Sequence, residues 1–305
     1  MNYPPQPFIS VIIPVFNDFE RLEVCLEALE RQTYPENFYE VIVVDNGSNE
    51  NIAALSQRFV RVSFAYENTP GSYCARNKGI SLAQGEAIAF TDSDCIPAAN
   101  WLETGVKHLL SVPECGLVAG KIEMFFKNPN QPTVVEIYDS VTFLQQKRNV
   151  EEDKYGATAN IFTLKSVIEQ VGVFNSKLKS GGDLEWGKRV FSHGYSIIYA
   201  DDVCVAHPAR YSFSQVYKKI VRLSGGGYDS NKLEQDERND YSFRQAIADW
   251  SGLKPPLRYN FHKIWSDQRL KNPSQKIQVF VLRLVHYYIK FFEKKRLQVG
   301  GGSKR

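Results

Sequence analysis

The chain has 305 residues, 43% hydrophobic and 23% charged, enough for one large domain or two small ones with a sizeable core. Its net charge of +3 is too close to balance for general nucleic-acid binding, so no nucleic-acid partner is expected. Five scattered cysteines without CxxC spacing argue against a disulfide framework or zinc knuckle and fit a reducing compartment. The N-terminus, MNYPPQPFISVIIP, lacks the charged and apolar regions of a signal peptide. No run reaches the roughly 18 apolar residues of a spanning helix, so a cytoplasmic protein is expected.

The first third alternates regularly. FISVIIPVF is almost continuously apolar, the pattern of a strand covered on both faces. FERLEVCLEALERQ follows with leucines at 22, 26 and 29, which is helical spacing. YEVIVVDNGS reads as a second buried strand ending in turn residues. A short polar helix near 50–58, a strand RVSFAYE, a helix over about 71–84 and a strand EAIAFTDSD come next. A helix near 99–110 and the strand GLVAGKIEMFF close this part. Strand–helix alternation at this spacing predicts an α/β fold with a doubly wound sheet, whose ligands collect at the carboxyl ends of the strands. Three polar clusters sit there: Pro14 to Asn17, Asp45 to Ser48, and Asp92 to Asp94.

Later the pattern loosens. VVEIYDSVTFLQQKRN reads as helical, and YGATANIFTLKSVIEQVGVF as a loop and strand entering a helix. SGGDLEWGKRVFSHGYSIIYADDVCVAHPAR reads as a glycine-marked loop, a helix, and a strand ending near His207. A helix over 213–223, a hinge at Gly225 to Gly227, a charged stretch to about 242, one basic helix and a flexible GGGSKR tail complete the chain.

Asp92 and Asp94 flank one serine at the exit of a buried strand. Their charges repel unless something positive sits between them. A lone D-x-D is also an ordinary turn. At this position, two carboxylates form a hard oxygen site for Mg²⁺ or Mn²⁺ that substrate phosphates complete. Asp45 is either an Asx turn or the acceptor for a uracil imide N–H, with Pro14 to Asn17 walling the base. Arg76, Asn77 and Lys78 lie on a helix behind Gly71, where backbone donors and Arg76 suit a phosphate. No GxxxxGK or GxGxxG occurs, which removes the Walker and weakens the dinucleotide readings. Asp183 and Glu185 follow two glycines beside Trp186, a set suited to a sugar: a carboxylate takes a hydroxyl proton and the indole covers an apolar face. His207 is either structural or a third, nitrogen ligand to the metal.

Taken together, SVIIPVFN, VIVVDNGS, ARNKG, AFTDSDCIPAANWL, GGDLEWGKR and AHPAR resemble, in order, the family 2 glycosyltransferases over roughly residues 8–225. The resemblance implies an inverting, nucleotide-sugar-dependent enzyme of the GT-A fold, a Rossmann-like, mostly parallel sheet with a C-terminal helical extension here. It implies Pro14, Val15, Phe16 and Asp45 in the uracil pocket. Asn17, Asn46, Arg76, Asn77, Asp92 and Ser93 join them around the nucleotide sugar. It implies Asp92 and Asp94 as the ligands of Mn²⁺ or Mg²⁺, with Asp94 the firmer, and His207 is the candidate third ligand. Trp186 and Trp101 are assigned to the acceptor. The family often carries Glu-Asp where this chain has Gly182-Asp183, so Asp183 aligns with the base and Glu185 stays open. The expected domains are 1–130 for the nucleotide sugar, 131–225 for the acceptor, and 226–305 as the extension.

The expected reaction is direct displacement from a UDP-sugar by a hydroxyl of a carbohydrate or glycolipid, in cell-surface polysaccharide or glycolipid synthesis. A sugar-phosphate nucleotidyltransferase and an inactive nucleotide-sugar-binding protein are the alternatives. QKIQVFVLRLVHYYIKFFEKKR (275–296) has a broad apolar face with Arg283, His286, Lys290 and Lys294 on the other side. It reads either as a helix in an anionic membrane interface or as one packed on its own domain. The first reading places the protein at the inner face of the plasma membrane.

Overall fold

Ile9–Val15 forms the first strand, β1, and five of its seven side chains are among the most deeply buried in the chain. The computed structural model describes residues 6–236 and 253–303. Strands β2 (Tyr39–Asp45), β3 (Val62–Tyr66) and β4 (Ala87–Thr91) join β1 in parallel. Helices α1 (Phe19–Glu30), α2 (Ser72–Leu82) and α3 (Trp101–Ser111) occur between and after them. Strands β5 (Ile96–Pro97), β6 (Cys115–Phe125), β7 (Asn160–Leu164) and β8 (Ser196–Pro208) complete an eight-stranded sheet of order β3-β2-β1-β4-β7-β6-β8-β5. β7 runs antiparallel to both β4 and β6, so the parallel half expected from the alternation ends at β4 and the sheet is mixed. The strand order reverses between β1 and β4, which opens a crevice at their carboxyl ends.

Two compact units are present. One contains the described chain up to 124, with 144–177 and 182–208; the other contains 125–143, 178–181 and the described chain from 209 onwards. These limits differ from the expected division at 130 and 225. The segment expected as a single helix over 134–149 is two, α4 (Val134–Thr142) and α5 (Gln146–Asp153). Extended Phe143 and left-handed Leu144 break it at the boundary between units. α6 (Lys165–Val171) and α7 (Gly182–Ser192) finish the sheet-bearing unit.

The helical unit also holds α8 (Phe213–Asp236), α9 (Leu257–Trp265) and α10 (Pro273–Gln298). The hinge expected at Gly225 to Gly227 is absent, because α8 runs through it unbroken. A Cβ on Gly226 would lie 2.3 Å from the Ser180 carbonyl oxygen, so the small residue serves close packing. The charged stretch expected to about 242 begins on α8, which runs to Asp236, and its remainder lies outside the described residues. α10 packs on α4, α8 and α9 through a face that includes Val279, Glu293 and Leu297. His286 belongs to that packed face and not to the polar side expected for it. Its Nδ1 meets the Tyr138 hydroxyl at 2.5 Å, and burial, then Lys290 and Arg283, push its pKa down to about 4. The tail is tied rather than loose: Arg296 donates to the Gly302 carbonyl and Lys179 to that of Ser303.

The glycine run gives a paired prediction. Gly226→Ala should destabilise the protein by about 1–3 kcal/mol through overpacking. Gly227→Ala, where a Cβ meets nothing within 4 Å, should stabilise by about 0.5–1 kcal/mol. Thermal unfolding reads both, and a hinge would instead make the two equally damaging.

Candidate active site

The parallel register aligns the strand ends, with Val15 opposite Asp45 and Asp45 opposite Tyr66. Asp45 Oδ1 accepts the Ser48 N–H at 2.9 Å, the Asx turn weighed from the sequence, and Oδ2 has no hydrogen-bonding partner among the described residues. Phe16 is exposed and Pro14 half-buried at the same edge. Three neighbouring residues are engaged within the protein. Val15 is buried, and its carbonyl accepts the Asn46 N–H. Asn46 donates to the Glu67 and Thr69 carbonyls and accepts from Gly71, which fixes the loop before α2. Asn17 bonds Ser48 and Asn49 from a left-handed backbone, tying two loops together. These contacts fix the loops at the edge of the crevice.

β4 delivers the acidic pair, and the two carboxylates have different partners. Asp92 binds the guanidinium of Arg76 at 2.5 Å. Arg76 is itself buried, with Nε unpartnered among the described residues. Ser93 donates to Asp18 at 2.8 Å and so is an anchor within the loop. Asp94 lies 3.6 Å from His207 Nε2 and 3.6 Å from Arg21, which also binds Asp18. The antiparallel pairing of Ile96 with Ala206 brings His207 to this place from more than 100 residues away in sequence. Burial raises the Asp18 pKa against the hydrogen bonds from Arg21 and Ser93.

The donor set fits a divalent cation. His207 Nδ1 lies 2.8 Å from the Pro208 carbonyl, which can only accept. A proton therefore sits on Nδ1, and Nε2 is the ring atom that faces Asp94 and can serve a cation there. Cys95 lies in the same cluster, its ligand atom within 4.8 Å of the others. Burial, then the charges of Asp94 and Asp92, hold its thiol well above the usual range, so it stays protonated. Asp92, engaged by Arg76, lies outside that cluster. Carboxylate and imidazole remain, a set suited to a hard or borderline metal.

On the acceptor side, α7 begins at Gly182, so the carboxylates expected on a loop occupy a helical first turn. Glu185 is bound twice by Arg189, at 2.6 and 3.1 Å, and Arg189 also clamps the carbonyls of Val171 and Val173. Asp183 Oδ1 accepts from the Tyr73 hydroxyl at 3.2 Å and from Leu184 N–H at 3.0 Å, leaving Oδ2 without a hydrogen-bonding partner among the described residues. Burial, then the charge of Asp183, raises the Tyr73 pKa, so its hydroxyl remains a donor. The Arg76 guanidinium lies 5.7 Å from the centre of the Tyr73 ring. Asp183, Tyr73, Arg76 and Asp92 thus form one continuous chain of contacts.

Both tryptophans assigned to the acceptor are core residues. Trp101 is fully buried, with its indole N–H on Asn160. Trp186 is 1% exposed, donates to the Gly172 carbonyl and packs on Phe174. Neither ring has a face to offer a sugar. Asn77 is also consumed, exchanging two hydrogen bonds with the Phe174 backbone. Tyr73, Asp18 and Arg21 went unrecognised in the sequence. Asp18 has the position of a helix cap, yet it makes no capping bond and turns to Arg21 and Ser93 instead.

Comparison with known proteins agrees with this geometry. Residues 10–172 match the sequence profile of Glycosyl transferase family 2. Glycosyltransferase AglE of Haloferax volcanii is 43% identical over 228 residues, 72% of this chain and 73% of that protein. A pre-mycofactocin glycosyltransferase of Mycobacterium tuberculosis is 29% identical over 214 residues, 66% of this chain and 43% of its own length. The mannosyltransferase PcManGT from Pyrobaculum calidifontis, solved with GDP-Man and Mn²⁺, shares the fold at a TM-score of 0.61 and 17% identity, over 95% of this chain and 87% of that one.

Manganese titration followed by electron paramagnetic resonance, with UDP present, separates the roles in the acidic cluster. Asp94→Asn and His207→Ala should each weaken binding at least about tenfold. Asp92→Asn should act chiefly by lowering the melting temperature, since it leaves Arg76 buried and unpaired. Unchanged affinity in Asp94→Asn would exclude this metal site.

Proposed function

The chain belongs to glycosyl transferase family 2, and we propose that it moves a sugar from a UDP-sugar to a hydroxyl of a carbohydrate or glycolipid acceptor. The enzyme is an inverting glycosyltransferase of the GT-A fold that uses a nucleotide-sugar donor and a divalent cation. The observation that carries the mechanism is the contact chain from Asp183 through Tyr73 and Arg76 to Asp92, which joins an acceptor-side carboxylate to the acidic motif at the end of β4.

In this reading, Asp183 Oδ2 takes the acceptor proton while the acceptor oxygen attacks the anomeric carbon opposite the diphosphate. A new C–O bond forms as the bond to the phosphate oxygen breaks, and the configuration inverts. Tyr73 holds Oδ1, so only one carboxylate oxygen turns to the acceptor. Asp94 and His207 would hold the cation, which as a Lewis acid stabilises charge on the leaving diphosphate. Asp45 Oδ2 suits a uracil imide N–H, and the exposed Phe16 ring suits the face of the base. The cytoplasm suits the five thiols, none of them in a disulfide. Cell-surface polysaccharide or glycolipid assembly is the setting.

Family membership sets aside the nucleotidyltransferase alternative. The inactive-protein alternative leaned on the missing glutamate before Asp183. A Cβ at Gly182 would lie 2.7 Å from the Tyr73 ring, so glycine here permits the contact that holds Asp183.

Release of UDP from a panel of UDP-sugars, with GDP-mannose alongside, tests the donor. Turnover with GDP-mannose alone would overturn the uracil assignment and leave the transfer reaction standing. With the active donor, Asp183→Asn should lose about 10²–10⁴ in kcat, while Glu185→Gln should keep turnover and lose thermal stability. The opposite pattern would make Glu185 the base. Tyr73→Phe should lower kcat about tenfold at unchanged donor KM, the effect of one lost hydrogen bond to the base. A rise in donor KM with normal kcat would show that Tyr73 serves the donor instead.

A further inference from the structure

The near-neutral total charge conceals a division. Residues 253–305 carry thirteen lysines and arginines against two acidic residues, whereas the rest of the chain carries 24 against 32. Both acidic residues of the C-terminal segment are already paired, Asp267 with Arg269 and Glu293 with Arg296, each at 2.7 Å. The same segment exposes large apolar side chains. On α10, Ile277, Val281, Tyr288 and Phe292 are exposed, as is Val299 just beyond it. At 3.6 residues per turn these five fall within an arc of roughly 60°, nearly opposite the face formed by Val279, His286 and Leu297. Lys295 falls within the same arc, whereas Lys276, Arg283, Lys290 and Lys294 lie about 100–140° from its nearer edge, towards the packed face.

Next to this stripe, α9 exposes Leu257, Tyr259, Phe261 and Trp265. Phe261 stacks on Trp265 at 4.1 Å and meets Phe280 of α10 edge-on, so the aromatic surface runs from one helix onto the other. On the other flank, Tyr288 and Phe292 line a groove of about 560 Å³ with Tyr217 and Val221 of α8. Among the described residues no helix is long and apolar enough to cross a membrane. An apolar stripe on a helix that is already packed on its opposite face is made to lie on a surface, and Lys295 in the stripe, the exposed Arg258 beside Trp265 on the α9 wheel and the basic excess of the segment select an anionic one.

We infer that α9 and α10 together form a docking surface for an anionic lipid bilayer, with the Ile277–Phe292 stripe entering the interface and Lys295 and Arg258 meeting the headgroups. This extends the membrane contact expected for 275–296 to α9, names the inserted residues, and does not depend on the donor chemistry. Flotation of the full chain with vesicles tests it. Wild type should bind phosphatidylglycerol-containing vesicles, bind phosphatidylcholine vesicles at least about tenfold less, and come off in high salt. Ile277→Asp with Phe292→Asp, both at exposed positions, should abolish flotation while leaving nucleotide-sugar turnover and melting temperature unchanged. Arg258→Glu with Lys295→Glu should abolish the preference for anionic lipid. Equal flotation of wild type and the stripe variant would overturn the inference. So would a wild-type dimer that the stripe variant converts to monomer without any vesicle binding, because the stripe would then belong to a second copy of this chain.

Discussion

The site depends on one buried cation. Arg76 is 3% exposed on α2, beneath the end of β4, and binds one of two neighbouring carboxylates. Two aspartates one residue apart repel, and a buried guanidinium without a partner is costly. The Arg76–Asp92 pair relieves both and makes the two acids unequal: Asp92 is committed to the protein, while Asp94 is turned to His207. Without that division the acidic pair would be a symmetric cluster with no reason to present one carboxylate to a metal. The guanidinium also lies over the Tyr73 ring, so the residue that settles the metal side holds the tyrosine that holds Asp183.

Most of the parallel half of the sheet was legible because its physics is local. FISVIIPVF, YEVIVVD and EAIAFT are nearly continuous apolar runs, too short for a buried helix and typical of a strand covered on both faces. The placement of polar clusters at strand ends followed from that alone. The helix from 134 to 149 was misread because its break is made by Phe143 and Leu144, neither a residue that announces a turn. Gly225 to Gly227 was misread for the opposite reason. Glycine suggests a hinge, but here the missing side chain makes room for the Ser180 backbone inside a helix.

Site residues were legible by type and not by partner. Asn17, Asn46 and Asn77 are amides in the right loops, and whether an amide meets a ligand or a neighbouring backbone is decided by tertiary hydrogen bonds. Trp101 and Trp186 show the same limit, since an indole that stacks on a sugar and one that closes a core have identical sequence signals. Glu185 and Asp183 were left open at two residues' separation. What separates their surroundings is Arg189, one helical turn beyond Glu185, which forks onto it, while Asp183 keeps one oxygen without a hydrogen-bonding partner among the described residues. Arg189 was visible at that spacing, and an i to i+4 glutamate–arginine pair on a helix is the ordinary expectation.

The same reasoning explains why α10 fitted two readings at once. Its apolar residues are too many for one face, so a helix packed on its own unit and a helix with an apolar outer stripe are both consistent with them. The structure realises the packed face through Val279, His286 and Leu297, and what that face leaves over is the exposed stripe. A helix that needed only to pack would be polar on its far side, since exposed isoleucine and phenylalanine add nothing to folding and invite association. Charge follows the same logic. A net value of +3 averages an acidic enzyme body and a strongly basic end, and it is the separation of the two, not their sum, that distinguishes one surface of this protein from the rest.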